Sequence, residues 1–189
     1  MPSDAPPDSF PLPSVRTIAL VGLMGVGKST VGRRLATRLG LPFADGDQVI
    51  EEAAGMTINE IFATRGEGEF RAGEARVMRR LLEGPPIVLA TGGGAVLNAE
   101  TRALMKQHAV SIWMKADLKI IADRVGRRDT RPLLRNRDPL TTLRELAKVR
   151  YPIYGEADLT VDVGSGSHAH AVEVILKELS RFGRQESKR

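Results

Sequence analysis

Thr17-Ile-Ala-Leu-Val-Gly-Leu-Met-Gly-Val-Gly-Lys-Ser-Thr30 decides how the rest of this chain is read. An apolar run breaks into glycines at 22, 25 and 27, then into Lys28, Ser29 and Thr30 at the head of an amphipathic segment that runs from Ser29 to Leu39. Gly22, Gly27, Lys28 and Ser29 satisfy G-x-x-x-x-G-K-[ST] in the strand-then-helix context that this spacing requires. The glycines let the backbone turn its N–H groups onto phosphate oxygens, and the helix N-terminus adds a partial positive charge. Lys28 is placed to reach β- and γ-phosphates, and the Ser29 hydroxyl to ligate Mg²⁺. The bland alternative is a glycine-rich turn that matches by accident at four positions and in both flanks.

Working outward, 189 residues with 42% hydrophobic content suit one α/β domain with small excursions. Cysteine is absent, which excludes a disulfide framework, a Cys-based metal site and thiol catalysis. The net charge of +5 raises the question of nucleic acid. Only one Trp, two Tyr and five Phe are available for base stacking, and Trp113 sits in an apolar strand-like run. Much of the positive charge lies in Arg124–Arg137 and Arg181–Arg189, and an enzyme for two anionic substrates is also locally basic. No nucleic-acid partner is expected. Residues 1–14 are proline-broken and polar, and read as a disordered extension without the apolar core of a signal peptide. No run of eighteen apolar residues exists, so no membrane partner is expected and the chain reads as soluble and cytoplasmic.

After the phosphate-loop helix, Gly40 is placed as a helix stop and Leu41–Asp45 as a second strand, whose exit carries Asp45 and Asp47. In a parallel α/β sheet the strand ends converge on the ligand crevice, which puts these carboxylates near the phosphate loop. The competing reading makes Asp47 the cap of a helix from Gln48 to Ala54. Thr57-Ile-Asn-Glu60 matches a capping box, Gly66 breaks the helix it opens, and Glu67–Leu82 resumes a helical pattern. Arg71 and Glu74 fall i, i+3 on one face, a pairing that is ordinarily a solvated contact. Pro86–Ala90 reads as a buried strand ending in Thr91-Gly-Gly-Gly94, where the missing side chains suit a backbone pressed against a ligand. That strand ends without an acidic residue, leaving Asp45 as the best carboxylate near a magnesium ion.

Further along come a helix from Asn98 to His108, a strand Val110–Lys115, and a helix Leu118–Val125 capped by Asp117. Residues of about 126–139 form an Arg-dense stretch that reads as a lid, able to stabilise a transferring phosphoryl group and exclude water. A helix ending near Arg150, a strand Leu159–Val163, a helix Ala169–Phe182 and a frayed basic tail 183–189 complete the chain. The fold expected is α/β: a three-layer α/β/α P-loop NTPase with a five-stranded parallel sheet, covering 15–182.

Several blocks in order and spacing then resemble one family. Gly22-Leu-Met-Gly-Val-Gly-Lys-Ser-Thr, Phe43-Ala-Asp-Gly-Asp, Gly66-Glu-Gly-Glu-Phe-Arg-Ala-Gly-Glu, Thr91-Gly-Gly-Gly, Arg131-Pro-Leu-Leu and Arg150-Tyr-Pro-Ile-Tyr-Gly-Glu-Ala together look like shikimate kinase. The resemblance implies transfer of the ATP γ-phosphate to the 3-hydroxyl of shikimate in aromatic amino-acid biosynthesis, by a monomer of nucleoside-monophosphate-kinase type. It implies a shikimate-binding region of about 46–75, with Asp47 on the shikimate hydroxyls and receiving the proton. Arg71 and Arg150 match the carboxylate-gripping arginines, Glu74 orients Arg71, and Gly92, Gly93 and Gly94 face the substrate. Gly25, Val26, Gly27, Lys28, Ser29 and Thr30 hold ATP, Ser29 and Asp45 surround Mg²⁺ partly through water, Arg131 is the lid arginine and Arg124 lies beside adenine. Lys28, Asp47 and Arg131 are the implied catalytic set. Val163-Gly-Ser-Gly-Ser-His168 departs from the family's proline-containing adenine loop. Two rivals share parts of this pattern: a related small-molecule kinase, such as one for gluconate, and a nucleotide-sensing module without transfer.

Overall fold

Thr17–Val21 forms the central strand, β1, in a computed structural model that describes residues 16–126, 138–164 and 166–186. All five of its residues are buried, as expected of a strand covered on both faces. It is flanked by β3 (Val88–Ala90) and β4 (Ala109–Lys115), with β2 (Phe43–Asp45) and β5 (Leu159–Asp162) outside them, giving the order β2-β3-β1-β4-β5. Every pairing is parallel. The helices are α1 (Lys28–Leu39), α2 (Gly46–Ala54), α3 (Ile58–Leu82), α4 (Ala99–His108), α5 (Leu118–Gly126), α6 (Pro139–Tyr154) and α7 (His168–Glu186). The expected α/β architecture is present, with the main core built from β1, β3 and β4 and the apolar faces of α1 and α7.

Register brings the site together. Leu20 pairs with Ala90, Ala90 with Asp45, and Val21 with Trp113. The segments leaving β1, β2 and β3 therefore emerge side by side at one sheet edge: the phosphate loop, Gly46–Asp47 and Thr91–Gly94. Thr91 still belongs to the ladder, its N–H and hydroxyl both donating to the Leu20 carbonyl at 3.1 and 2.9 Å. In an open parallel sheet ligands bind outside the carboxyl ends of adjacent strands whose connections leave toward opposite sides, and here β1 leads toward β2 while its neighbour β3 leads toward β4.

Several boundaries differ from the sequence reading, each for a physical reason. Asp45, and not Asp47, caps α2: its Oδ1 accepts the N–H groups of Asp47 (3.1 Å) and Gln48 (3.4 Å), and Asp47 stands in the first turn with its carboxylate released from capping. Gly66 does break the helical path, as expected: at φ 80° and ψ 172° it is the single non-helical residue between helical stretches 58–65 and 67–82 of α3. The Thr57–Glu60 capping box is formed as expected. Pro152 does not stop α6, which runs four residues beyond Arg150 because Tyr151 and Tyr154 pack on Trp113 at 5.0 and 6.0 Å between ring centroids. Tertiary packing here outweighs the single hydrogen bond that proline removes. Helix α7 continues past Phe182 to Glu186, into the stretch read as a tail.

Helices α2 and α3 carry a small core of their own, Ile50, Ile61, Phe70 and Val77. It fastens the two helices together and turns Asp47, Arg71 and Glu74 toward the sheet edge. Of the stretch read as a lid, residues 127–137, Arg131 included, lie outside the described residues.

Candidate active site

The phosphate loop joins β1 to α1. Gly27 is the N-cap of α1, with φ 104°, and gives no side-chain cap, whereas α2, α3, α4 and α6 are all capped by side chains. The first N–H groups of α1 are thus left to an anion. Lys28 is buried and curls over the loop, donating to the carbonyls of Gly22 (2.8 Å) and Leu23 (2.9 Å). Val26 is buried in the core under the loop, and Thr30 is exposed one residue beyond Ser29. The Ser29 hydroxyl donates to Asp45 Oδ2.

Ser29 and Asp45 fit a magnesium ion. Both offer hard oxygen ligands, they touch one another, and they sit at the phosphate end of the loop. No cluster of three or more His, Asp or Glu side chains suited to a metal exists among the described residues. That donor set matches Mg²⁺, which is held by one or two protein oxygens with substrate phosphates and water, and not by an all-protein cage.

Beside the phosphate loop, Gly92, Gly93 and Gly94 lie under charged side chains. A methyl group added at Gly92 would stand 2.7 Å from Asp47 Oδ1 and 3.0 Å from Glu74 Oε1. At Gly93 it would meet Arg150 Nη1 at 2.9 Å, and at Gly94 it would meet Arg71 Nη1 at 2.6 Å. Two carboxylates and two guanidiniums thus converge on three residues without side chains. The same position at Gly93 is 3.5 Å from the Gly22 carbonyl and 3.6 Å from the Met24 nitrogen, so this charged cluster abuts the phosphate loop.

Glu74 and Arg150 are each only 5% exposed, which separates them from solvated surface charges. Arg71 Nη1 donates to Glu74 Oε2 at 2.7 Å, so the i, i+3 pair is formed, and burial of its acid makes it part of the site. Burial raises the Glu74 carboxyl above the ordinary glutamate range; Arg71 and Arg150 pull it down and Asp47 pushes it further up.

The sequence reading missed Tyr154 and His168. Tyr154 is 1% exposed, its hydroxyl donates to the Gly93 carbonyl, and burial pushes its pKa up to about 12 against the opposing charge of Arg150. A tyrosine four residues after Arg150 is the available signal, masked by reading the helix as ending near Arg150. His168, opening α7, lies 3.1 Å (Nε2) from the point a side chain on Gly27 would occupy, so the segment that departs from the family's adenine loop does reach the phosphate loop. Arg124 sits on α5 beside Val125, which packs on Gly25. No helix among the described residues is long and apolar enough to cross a membrane.

Comparisons with known proteins agree with this geometry. The shikimate kinase family model matches residues 24–180. The shikimate kinase of Caulobacter vibrioides is 60% identical over 87% of this chain and 82% of its own length. That of Bradyrhizobium diazoefficiens is 54% identical over 95% and 87%. A solved shikimate kinase from Acinetobacter baumannii, in complex with shikimate, superposes with a TM-score of 0.85 at 39% identity, covering 88% of this chain and 94% of that one. A phosphate loop set against a triple glycine roofed by two arginines and two acids, on a chain so similar along most of its length, places this protein in the shikimate kinase family.

Proposed function

We propose that the charged cluster over Gly92–Gly94 is the shikimate site of an ATP-dependent kinase that phosphorylates the 3-hydroxyl, yielding shikimate 3-phosphate and ADP within chorismate and aromatic amino-acid biosynthesis. The observation that carries this reading is that a side chain at Gly93 would meet the Gly22 carbonyl at 3.5 Å and the Met24 nitrogen at 3.6 Å, so the charged cluster lies next to the phosphate loop. In-line transfer needs acceptor and γ-phosphate held within reach of one another.

Arg71 and Arg150 grip the acceptor carboxylate, because planar guanidiniums present forks of N–H donors to carboxylate oxygens. Glu74 fixes Arg71. Asp47, released from helix capping, faces the acceptor hydroxyls and receives the proton as the 3-hydroxyl attacks. Lys28 exchanges its loop carbonyls for β- and γ-phosphate oxygens, and the N–H groups of Gly25–Thr30 line the phosphates. Ser29 and Asp45 hold Mg²⁺, which when bound neutralises charge on the β- and γ-phosphates. Arg131 and Arg124 are assigned from the sequence resemblance, to the transferring phosphoryl group and to adenine. The working unit is the domain 15–182, with acceptor residues drawn from about 46–75, acting as a cytoplasmic monomer without nucleic-acid or membrane partners.

The test is ADP release with Mg²⁺ and ATP, comparing shikimate, gluconate, a nucleoside monophosphate and no acceptor. Release that depends on shikimate alone is expected. Release driven by gluconate favours the sugar-acid rival, and ATP binding without any acceptor-dependent release favours a sensing role.

A further inference from the structure

We infer that Tyr154 is a positioning residue for the acceptor, its hydroxyl holding the Gly93 peptide over which the Arg150 guanidinium lies; this inference rests on the shikimate-kinase reading above. Helix α6 runs through Pro152, which puts Arg150 and Tyr154 one turn apart on the same face. The phenol hydroxyl donates to the Gly93 carbonyl, and the point a side chain on Gly93 would occupy is 2.9 Å from Arg150 Nη1. Tyr154 therefore fixes the peptide beside which the Arg150 guanidinium must lie.

The restraint matters because of what surrounds it. Arg150 is buried, and a long side chain without a fixed partner would lose rotamer entropy each time it gripped a carboxylate. Gly93 has no side chain with which to anchor its own peptide, yet a side chain there would meet both Arg150 and the phosphate loop. Tyr154 holds this peptide from behind. The ring itself is fixed by Trp113 at 6.0 Å and Tyr151 at 6.3 Å, so the hydroxyl position is set by the core and not by the ligand. Burial keeps the phenol protonated at every working pH, so the hydroxyl always has a hydrogen to donate.

The direct test is Tyr154→Phe, which keeps the ring in place and removes only the hydroxyl. The KM for shikimate should rise by roughly threefold to tenfold, the worth of one hydrogen bond, while the KM for ATP stays put. An analogue carrying a hydroxymethyl group in place of the carboxylate should lose far less than shikimate does. In an Arg150→Ala background the same substitution should add little. Tyr151→Phe is the matched control, since that ring also stacks on Trp113 and its hydroxyl has no part in this hold.

A second readout does not depend on the phenylalanine variant folding. The chain contains two tyrosines, so Tyr151→Phe leaves Tyr154 as the sole phenol. With isotope-labelled tyrosine, its ring resonance should move when shikimate is added and stay still with the hydroxymethyl analogue. Equal losses for shikimate, the analogue and ATP, or a resonance blind to shikimate, would overturn the positioning role. If wild-type protein turns over no shikimate, the functional reading fails first; if it does so and Tyr154→Phe is normal, only this inference fails.

Discussion

Gly94→Ala isolates the acceptor grip from the fold. The backbone at Gly94 has φ −102° and ψ −6°, values an alanine adopts freely. The added methyl group would stand 2.6 Å from Arg71 Nη1 and 3.0 Å from both Cζ and Nη2. Ordinary contact lies near 3.5 Å, so the guanidinium must retreat by about 1 Å. It can do so cheaply, being the far end of a flexible side chain that is 32% exposed. The Arg71–Glu74 pair lengthens without losing its charge, and melting should shift little. Binding geometry is less forgiving. A misplacement of about 1 Å can cost as much as a hundredfold, and a hydrogen bond to a charged group is worth about 1.5–3 kcal/mol. The KM for shikimate should therefore rise about tenfold to a hundredfold, with the KM for ATP unchanged. Steady-state kinetics with each substrate varied in turn, beside a thermal melt, decides it. A stable variant whose shikimate KM stays within about twofold of wild type would refute the placement of Arg71 over the acceptor.

Three further outcomes are expected. Lys28→Ala removes the cation folded over the phosphate loop and should lower kcat a hundredfold or more, about 3–4 kcal/mol of transition-state stabilisation; near-normal turnover would contradict the role. Glu74→Gln tests a buried acid whose carboxyl is raised from 4.5, mainly by burial. The folded chain holds a proton that the unfolded chain has released, so the stability linked to this group is full below 4.5 and is lost as pH rises through the raised value. Relative to wild type the variant should melt progressively higher across that window while its shikimate KM rises, because Arg71 loses a charged acceptor; a melting difference flat with pH would contradict this. Thr142 has a buried hydroxyl oxygen without a hydrogen-bond partner among the described residues, so Thr142→Val should leave stability unchanged or raise it by about 1 kcal/mol in denaturant titration, and a clear loss would reveal a hidden partner.

What the sequence disclosed was local chemistry, and what it withheld was set by packing. The phosphate loop, the Thr57–Glu60 box and the Gly40 stop are patterns within a few residues, and all three stand as expected. The parallel sheet was legible because short apolar runs alternate with helical periods. The pairing of Arg71 with Glu74 could be read from spacing, but only the fold sets Glu74 beside Gly92, 5% exposed, and turns a commonplace surface pair into part of a site. Asp45 and Asp47 lie two residues apart, and either can cap a helix. The choice fell to Asp45 because Ser29 holds its other oxygen. The length of α6 was misjudged for a related reason: proline's local penalty is visible in sequence, whereas the aromatic contacts with Trp113 that outweigh it come from a distant strand.

The account stands most directly on the identity of the product. Protein incubated with ATP, Mg²⁺ and shikimate should yield a single new compound, heavier by one phosphoryl group, whose phosphorus couples in NMR to the hydrogen on carbon 3 of the ring. Phosphate on another hydroxyl would contradict the placement of Asp47 and the two arginines around the acceptor. ATP consumption with shikimate left unmodified would contradict the kinase assignment itself.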